Sequence, residues 1–455
     1  MPERSERNDI KMENQNVYLK PVTVRNILKF AVPTIAMTLF MSFYTMVDGL
    51  FVSNLIGTNA LSAINLTAPV IQFVTAVSTM LATGGSAVIM KKMGEGKSEE
   101  AKEDFTALIL VNVLAGAVMC VLGYGTMEHI FGGMKLSADV EGYCRDYLSC
   151  YLLFTIPILL MNNFTLYMIA SEKAALSLVC SVTGGLVNMV LDYVLIAGFH
   201  MGISGAAVAT GLGYSVTAVV GLAVFGGKKS LLHFKKPVFR LDVLANAAGN
   251  GCSEMATALV TGIITMMFNW TMLYYVGEDG VAAVTIIMYV LMFASSLYTG
   301  YSYGVAPMLS FYHGERNDEK LKRLVRISLK VIGFISVITV AASLGLTRPL
   351  VSVFARPDNP VYALAVRGNR VCTMALFFIG FNIFASGMFT ALSNGIASAV
   401  LAFSRSFVFM LAALFLLPFL LGINGVWLAT PAAEFMALVL SGCLFLKYRE
   451  RYGYC

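Results

Sequence analysis

Charge is what this chain lacks most. Only 13% of its 455 residues are Asp, Glu, Lys or Arg, where an ordinary soluble domain carries about 25%. Histidine is scarce: His129, His200, His233 and His313 are the only four, all in or near loops and none placed for a triad or a metal cluster. No Gly-x-x-x-x-Gly-Lys-Ser/Thr run occurs, which excludes a built-in P-loop. Gly94-Glu95-Gly96-Lys97 is too short to cradle phosphate and reads as a turn. The eight cysteines have no metal-ligand spacing, and most lie in apolar runs, where Cys behaves as a small hydrophobe. Without a catalytic constellation the chain is not expected to be an enzyme. The ten-residue alternating segments of an outer-membrane barrel are missing as well.

What is present is apolar. Hydrophobic residues make up 58% of the chain, and apolar runs of membrane-crossing length recur along it. The expected fold class is an all-α polytopic membrane protein. Twelve transmembrane helices are predicted, over residues 27–53, 60–90, 104–125, 147–170, 174–198, 203–226, 247–276, 280–309, 323–346, 361–392, 396–421 and 424–446. Several exceed the roughly twenty residues that cross a bilayer, which implies tilt or ends projecting into water. Residues 1–20 are polar and mixed in charge, and the first apolar run is too long for a signal peptide.

The basic residues then set the orientation. With both termini on one side, that side collects twenty-three Lys and Arg, from Arg4, Arg7 and Lys11 to Lys447, Arg449 and Arg451. The other side holds six: Lys135, Arg145, Arg348, Arg356, Arg367 and Arg370. Positive charge stays inside, so both termini are expected in the cytoplasm of an inner (plasma) membrane protein. The net charge of +6 thus reports topology and implies no nucleic-acid partner.

The chain also repeats itself at an offset of 220 residues. Gly57, Ala63, Phe73, Thr79 and Gly84 meet Gly277, Ala283, Phe293, Thr299 and Gly304. Gly94-Glu95 meets Gly314-Glu315, and Asn162, Phe164 and Met168 meet Asn382, Phe384 and Met388. Gly202-Ile203-Ser204-Gly205 meets Gly422-Ile423-Asn424-Gly425. Six spans per half is an even number, so the halves insert the same way round, as parallel repeats do in some transporters. The expected organisation is a cytoplasmic N-terminus (1–26), an N-lobe (27–226), a basic linker (227–246), a C-lobe (247–446) and a cytoplasmic C-terminus (447–455).

Ionisable residues at membrane depth are functional by default. Asp48 and Asp192 lie near the outer ends of outward-running spans, and Thr210 just inside the next one, all roughly 10 Å below the outer face. Asn188 precedes Asp192 by one helical turn and shares its helix face. The repeat partners of Asp48 and Asp192 are Phe268 and Ala412, so the scaffold accepts apolar residues there. If the carboxylates approach one another they cannot both be ionised cheaply, and the pair can hold a proton, or a sodium ion among hard oxygen ligands. The alternative is that each acid is satisfied separately by backbone or water. Glu254 serves either helix entry or function. Arg405 either pairs with Glu434 or snorkels. Gln72, Asn162, Asn269 and Asn382 either join helices by hydrogen bonds or line a cavity. The abundant Met and Phe are mostly core, and some suit an adaptable cavity wall.

Pro33, Val47-Asp48-Gly49, Gly57, Ala63, Asn188-x3-Asp192, Gly202-x2-Gly205 and Ala209-Thr210 together resemble the multidrug and toxic compound extrusion (MATE) family, over residues 20–446. The resemblance implies two six-helix lobes and a cation-coupled antiporter that expels amphipathic, often cationic organic compounds. It matches the DinF-like branch, whose N-lobe cation site falls here on Asp48, Asn188, Asp192 and Thr210. The NorM-like branch adds a Glu on the seventh helix and an Asp on the tenth. Glu254 sits early in its helix and the tenth span has no acid, which leaves the N-lobe as the expected site. The implied partners are small organic substrates and the lipid bilayer, the chain acting as a monomer. The coupling ion is H⁺ or Na⁺, with no other cofactor. Gln72, Asn162, Asn269, Asn382, Glu254 and Glu434 are substrate-cavity candidates. The rival reading is a lipid-linked oligosaccharide flippase, which would want cations in the cavity for pyrophosphate.

Overall fold

The structure, a computed structural model, describes residues 17–56, 58–132 and 138–454. Gly57 of the repeat pattern, the cations Arg4, Arg7, Lys11 and Lys135, and Cys455 lie outside the described residues. Among the described residues the regular structure is helical. Eleven helices are long and apolar enough to cross a membrane, and a bent pair makes the twelfth span. The chain is a multi-pass membrane protein.

The first half comprises Val24–Leu55, Thr58–Gly94, Ser98–Gly132, the pair Ala138–Leu153 and Thr155–Ala170, Ala174–Asp192 continuing through Tyr193–Gly198, and Gly202–Gly226. The second comprises Leu241–Tyr275, Glu278–Gly314, Asp318–Gly345, Pro360–Cys372 continuing to Leu376–Ala391, Gly395–Phe403 continuing to Leu421, and Ile423–Tyr452. They are numbered below as spans one to twelve. The eighth span has 37 residues, so at about 1.5 Å per residue it outruns a hydrocarbon core of about 30 Å and projects into water.

The fourth span differs most from its sequence expectation. It starts at Ala138, before residue 147, and bends by 54° near Phe154. Pro157 explains the bend. It has no N–H for the Leu153 carbonyl, and its ring crowds that carbonyl. Thr155 Oγ1 donates to Leu152 O (2.9 Å) and lies 2.9 Å from Gly116 O on the third span, anchoring the corner.

The repeat reappears as packing symmetry. A Cβ added to Gly94 would lie 2.0 Å from the Phe311 carbonyl oxygen, and one on Gly314 would lie 2.0 Å from that of Lys91. Both residues of the first contact, shifted by 220, give the second. Likewise Gly84 on the second span sits against Ala247 and Gly251 on the seventh, while Gly304 on the eighth sits against Ala31 on the first. Only glycine lets helix backbones approach this closely. Gly202 and Gly422, which open the last span of each half, both have φ of 58°, a conformation an L side chain resists.

The glycine contacts between halves lie towards the basic end of the bundle. There Tyr18 reaches both halves: its hydroxyl donates to Ala170 O (2.7 Å), and its ring stacks on Phe311 at 5.0 Å. The basic linker is not a loose tether. Leu232 is fully buried, Phe234 stacks on Phe105 at 5.4 Å, and Arg240 bonds Asp104 (2.7 Å) and Glu103 (2.8 Å) on the third span.

Candidate functional site

Glycines on the fifth span bring the first candidate site together. Gly184 meets the backbone of Gly213 on the sixth span, where a Cβ would lie 2.6 Å from its carbonyl oxygen. The adjacent Gly185 receives Phe40 and Tyr44 of the first span. One and two helical turns further along, the same helix presents Asn188 and Asp192 to these neighbours. Asn188 Nδ2 donates to Thr210 Oγ1 at 3.2 Å. The carboxyl groups of Asp48 and Asp192 lie close enough to act on one another electrostatically. All four residues expected of an N-lobe cation site therefore lie in one cluster.

The donor balance of that cluster is unusual. Asp192 is fully buried, Asn188 is 1% exposed and Thr210 7%. No N–H or O–H of a described residue reaches Asp48 Oδ1, Asn188 Oδ1 or either oxygen of Asp192. Four buried acceptor oxygens without a donor are costly unless something positive joins them. Hard oxygens of this kind suit a proton or a small cation such as Na⁺.

The backbone marks the same place. The α-helix of the fifth span ends at Asp192, and a π-helical stretch follows over Tyr193–Gly198. Such segments widen the turn and recur at functional sites. Tyr44, Tyr147 and Tyr214 stand within electrostatic range of the acids. Two of these tyrosines could have been inferred from spacing, since Tyr44 precedes Asp48 by one turn and Tyr214 follows Thr210 by one. Tyr147 offered no such signal, because the fourth span delivers it from the far side of the bend.

The second half treats its ionisable groups differently. Arg405 Nε donates to both carboxylate oxygens of Glu434 at 2.8 and 3.0 Å. Asn382 Nδ2 adds bonds to Glu434 Oε2 (2.8 Å) and to its carbonyl oxygen (2.9 Å), and Ser441 Oγ closes the chain onto Asn382 Oδ1 (2.9 Å). Of the two expectations for Arg405, pairing is the one realised. Glu254 lies apart from this network, on the wall of a cavity of about 260 Å³ between spans two, four, seven, eight, ten and eleven.

The remaining candidates are scattered. Gln72 is exposed on the second span and Asn162 is half-buried on the fourth. The buried asparagine is its neighbour Asn163, whose Nδ2 donates to Asn112 Oδ1 at 2.8 Å. Asn269 lies in an open groove beside Met266, Trp270 and Leu273. None of these three lines the Glu254 cavity.

Known proteins share this architecture. The chain is 23% identical to the multidrug export protein MepA of Staphylococcus haemolyticus over 93% of each chain. It is 21% identical to MepA of Staphylococcus aureus over 97% of this chain and 98% of that one. A crystal structure of MATE in complex with MaL6 superposes with a TM-score of 0.88 at 22% identity, over 94% of this chain and 95% of the other. An outward-facing multidrug resistance MATE family transporter of the MOP superfamily gives 0.87 at 21% identity, over the same shares. The MatE family itself matches residues 33–194 and 255–420, which take in Asp48 and Asp192 in the first segment and Arg405 in the second, and this chain belongs to that family.

Proposed function

We propose that this protein is a cation-coupled exporter of amphipathic, often cationic organic compounds, working by alternating access. The observation that carries the reading is the Asp48–Asp192 pair: two carboxyl groups face each other at membrane depth, with no donor at three of their oxygens. The multidrug export activity named for the MepA relatives supports it.

In this mechanism the pair takes up one H⁺ or Na⁺ when the site is open to the outside, with Asn188 Oδ1 and Thr210 Oγ1 available as further ligands. Loading relieves the repulsion between the facing carboxylates, draws the first span towards the fifth and sixth, and releases cargo outward. The halves then exchange the packing that now joins them at the basic end for packing at the opposite end, and the emptied site faces inward. Ion and cargo are linked because both depend on the charge of the same carboxylates. The termini and the 227–246 linker lie in the cytoplasm, and the working unit is the single chain in the lipid bilayer. A pyrophosphate-linked cargo is disfavoured, because its several negative charges would meet a single guanidinium, Arg405, in a cavity that also carries the acid Glu254.

The test is efflux of a fluorescent organic cation from proteoliposomes under an imposed pH gradient and, separately, an imposed sodium gradient. Export under either gradient, lost in Asp192→Asn, identifies the coupling ion. Undiminished export by Asp192→Asn would remove the carboxylate pair from the mechanism.

A further inference from the structure

Glu254 and Arg405 are unexplained by the cation cluster of the first half, and both line one cavity. We propose that this cavity is a binding subsite for zwitterionic organic molecules, with Arg405 taking the carboxylate of the ligand and Glu254 its cationic group. The proposal deepens the export reading by naming a cargo class, and it rests on that reading only for the direction of movement.

The argument begins with unused valences. Arg405 spends Nε on Glu434, and no hydrogen bond to a described residue occupies its Nη atoms. A guanidinium carries five N–H donors in a rigid fork that matches a carboxylate, so four are left on a residue that lines the cavity. Glu434, itself held by Asn382, fixes the guanidinium in place through Nε. Glu254 forms no ion pair and no hydrogen bond with a described residue, although it shares the cavity with Arg405. Glu254 and the Glu434-paired Arg405 therefore share one cavity with no direct ion pair between them. Ionisable groups at membrane depth are rarely left so.

The rest of the lining suits a polar ligand. Thr257, Ser295, Thr299, Ser302 and Tyr303 contribute hydroxyls, each able to donate or accept. The volume of about 260 Å³ exceeds what isolated waters need, at about 30 Å³ each, and approaches the lower end of small-molecule sites, about 300 Å³. The scaffold does not require these charges. At the offset of 220 residues Glu254 corresponds to Thr34 and Arg405 to Gly185, so the first half builds the same helices with neither charge.

Two dyes of one skeleton test the assignment. Rhodamine 110 carries a delocalised cation and a carboxylate; rhodamine 123 is its methyl ester and keeps only the cation. Binding to the purified full chain is measured in detergent by fluorescence polarisation, with no gradient present. The double variant Arg405→Gln/Glu434→Gln removes the guanidinium without leaving Glu434 charged and unpaired, and its amides still hydrogen-bond. It should weaken rhodamine 110 binding by about tenfold or more and change rhodamine 123 by less than about threefold, as expected when one partner of a buried charge pair is lost. Glu254→Gln should weaken both dyes. Arg405→Lys keeps the positive charge beside Glu434 but lacks the forked donors, and it should lower the ratio of the two affinities if the double variant fails to fold. An unchanged ratio in the folded double variant, or in Arg405→Lys where the double variant does not fold, overturns the proposal. So does a wild-type protein that binds neither dye. Because the assay needs no transport, absent efflux with the expected binding ratios would count against the export reading and leave this subsite standing.

Discussion

Asp192 in the first half and Glu434 in the second are buried to nearly the same degree, 0% and 5% exposed, yet the molecule handles them in opposite ways. Glu434 receives two bonds from Arg405 and one from the Asn382 side chain. Asp192 receives none from a described N–H or O–H group and looks at a second carboxyl group instead. A buried carboxylate with its donors in place is a finished structural element. One without them stores a cost that a cation relieves. The comparison separates an acid with its donors in place from an acid without them within one repeated fold, where burial alone would rank them together.

Removing each carboxylate in turn is the sharpest way to break that comparison. Glu434→Ala should destabilise the protein by about 3–5 kcal/mol, because Arg405 is left buried without its counter-ion. Thermal unfolding in detergent reads this as a large drop in melting temperature, and Glu434→Gln should recover part of it. Asp192→Asn should leave the melting temperature unchanged or raised, since it removes an acid that had no donor. Equal losses in the two variants would erase the distinction.

The second prediction concerns the packing the halves share. Gly94→Ala and Gly314→Ala push a Cβ against symmetry-related carbonyl oxygens, so each should cost about 1–3 kcal/mol by overpacking. The two losses should be similar in thermal unfolding. A large loss in one and none in the other would mean that the repeat symmetry does not extend to the energetics.

The smallest effect is expected outside the membrane. Burial, and after it Lys102 and Lys228, push the His233 imidazole of the linker below its ordinary value. The folded state then favours the neutral ring. That contribution is fully present above the usual histidine value of about 6.5 and fades as pH falls through the lowered value of the folded state. Wild type should lose slightly more melting temperature than His233→Asn on acidification. Parallel pH profiles would show that the docked linker does not feel this proton.

The membrane class, the repeat and the grouping of the four clustered residues of the first half were all legible in the chain itself. Apolar runs of membrane length admit few folds, because a backbone in lipid must satisfy its own hydrogen bonds. The offset of 220 residues survives in sequence because Gly94, Gly202 and their partners hold backbone positions no other residue fills. Asp48, Asn188, Asp192 and Thr210 could be grouped because helix period and depth are both readable along a line. Other features needed three dimensions. Asn162 and Asn163 are neighbours in sequence, and only packing decides which of them is buried against Asn112. The residues that pair with or wall the sites come from distant spans, as Arg405 comes to Glu434 and Tyr147 to the acids.

Sequence alone therefore determined where polar groups enter the membrane and which helix faces they share, since both follow from local periodicity. Tertiary structure decided which of those groups are satisfied. A hydrogen bond depends on ångström-scale approach between helices far apart in the chain, set here by glycine contacts and by the bend at Pro157. That is why Glu434 and Asp192 look alike in the chain and opposite in the fold.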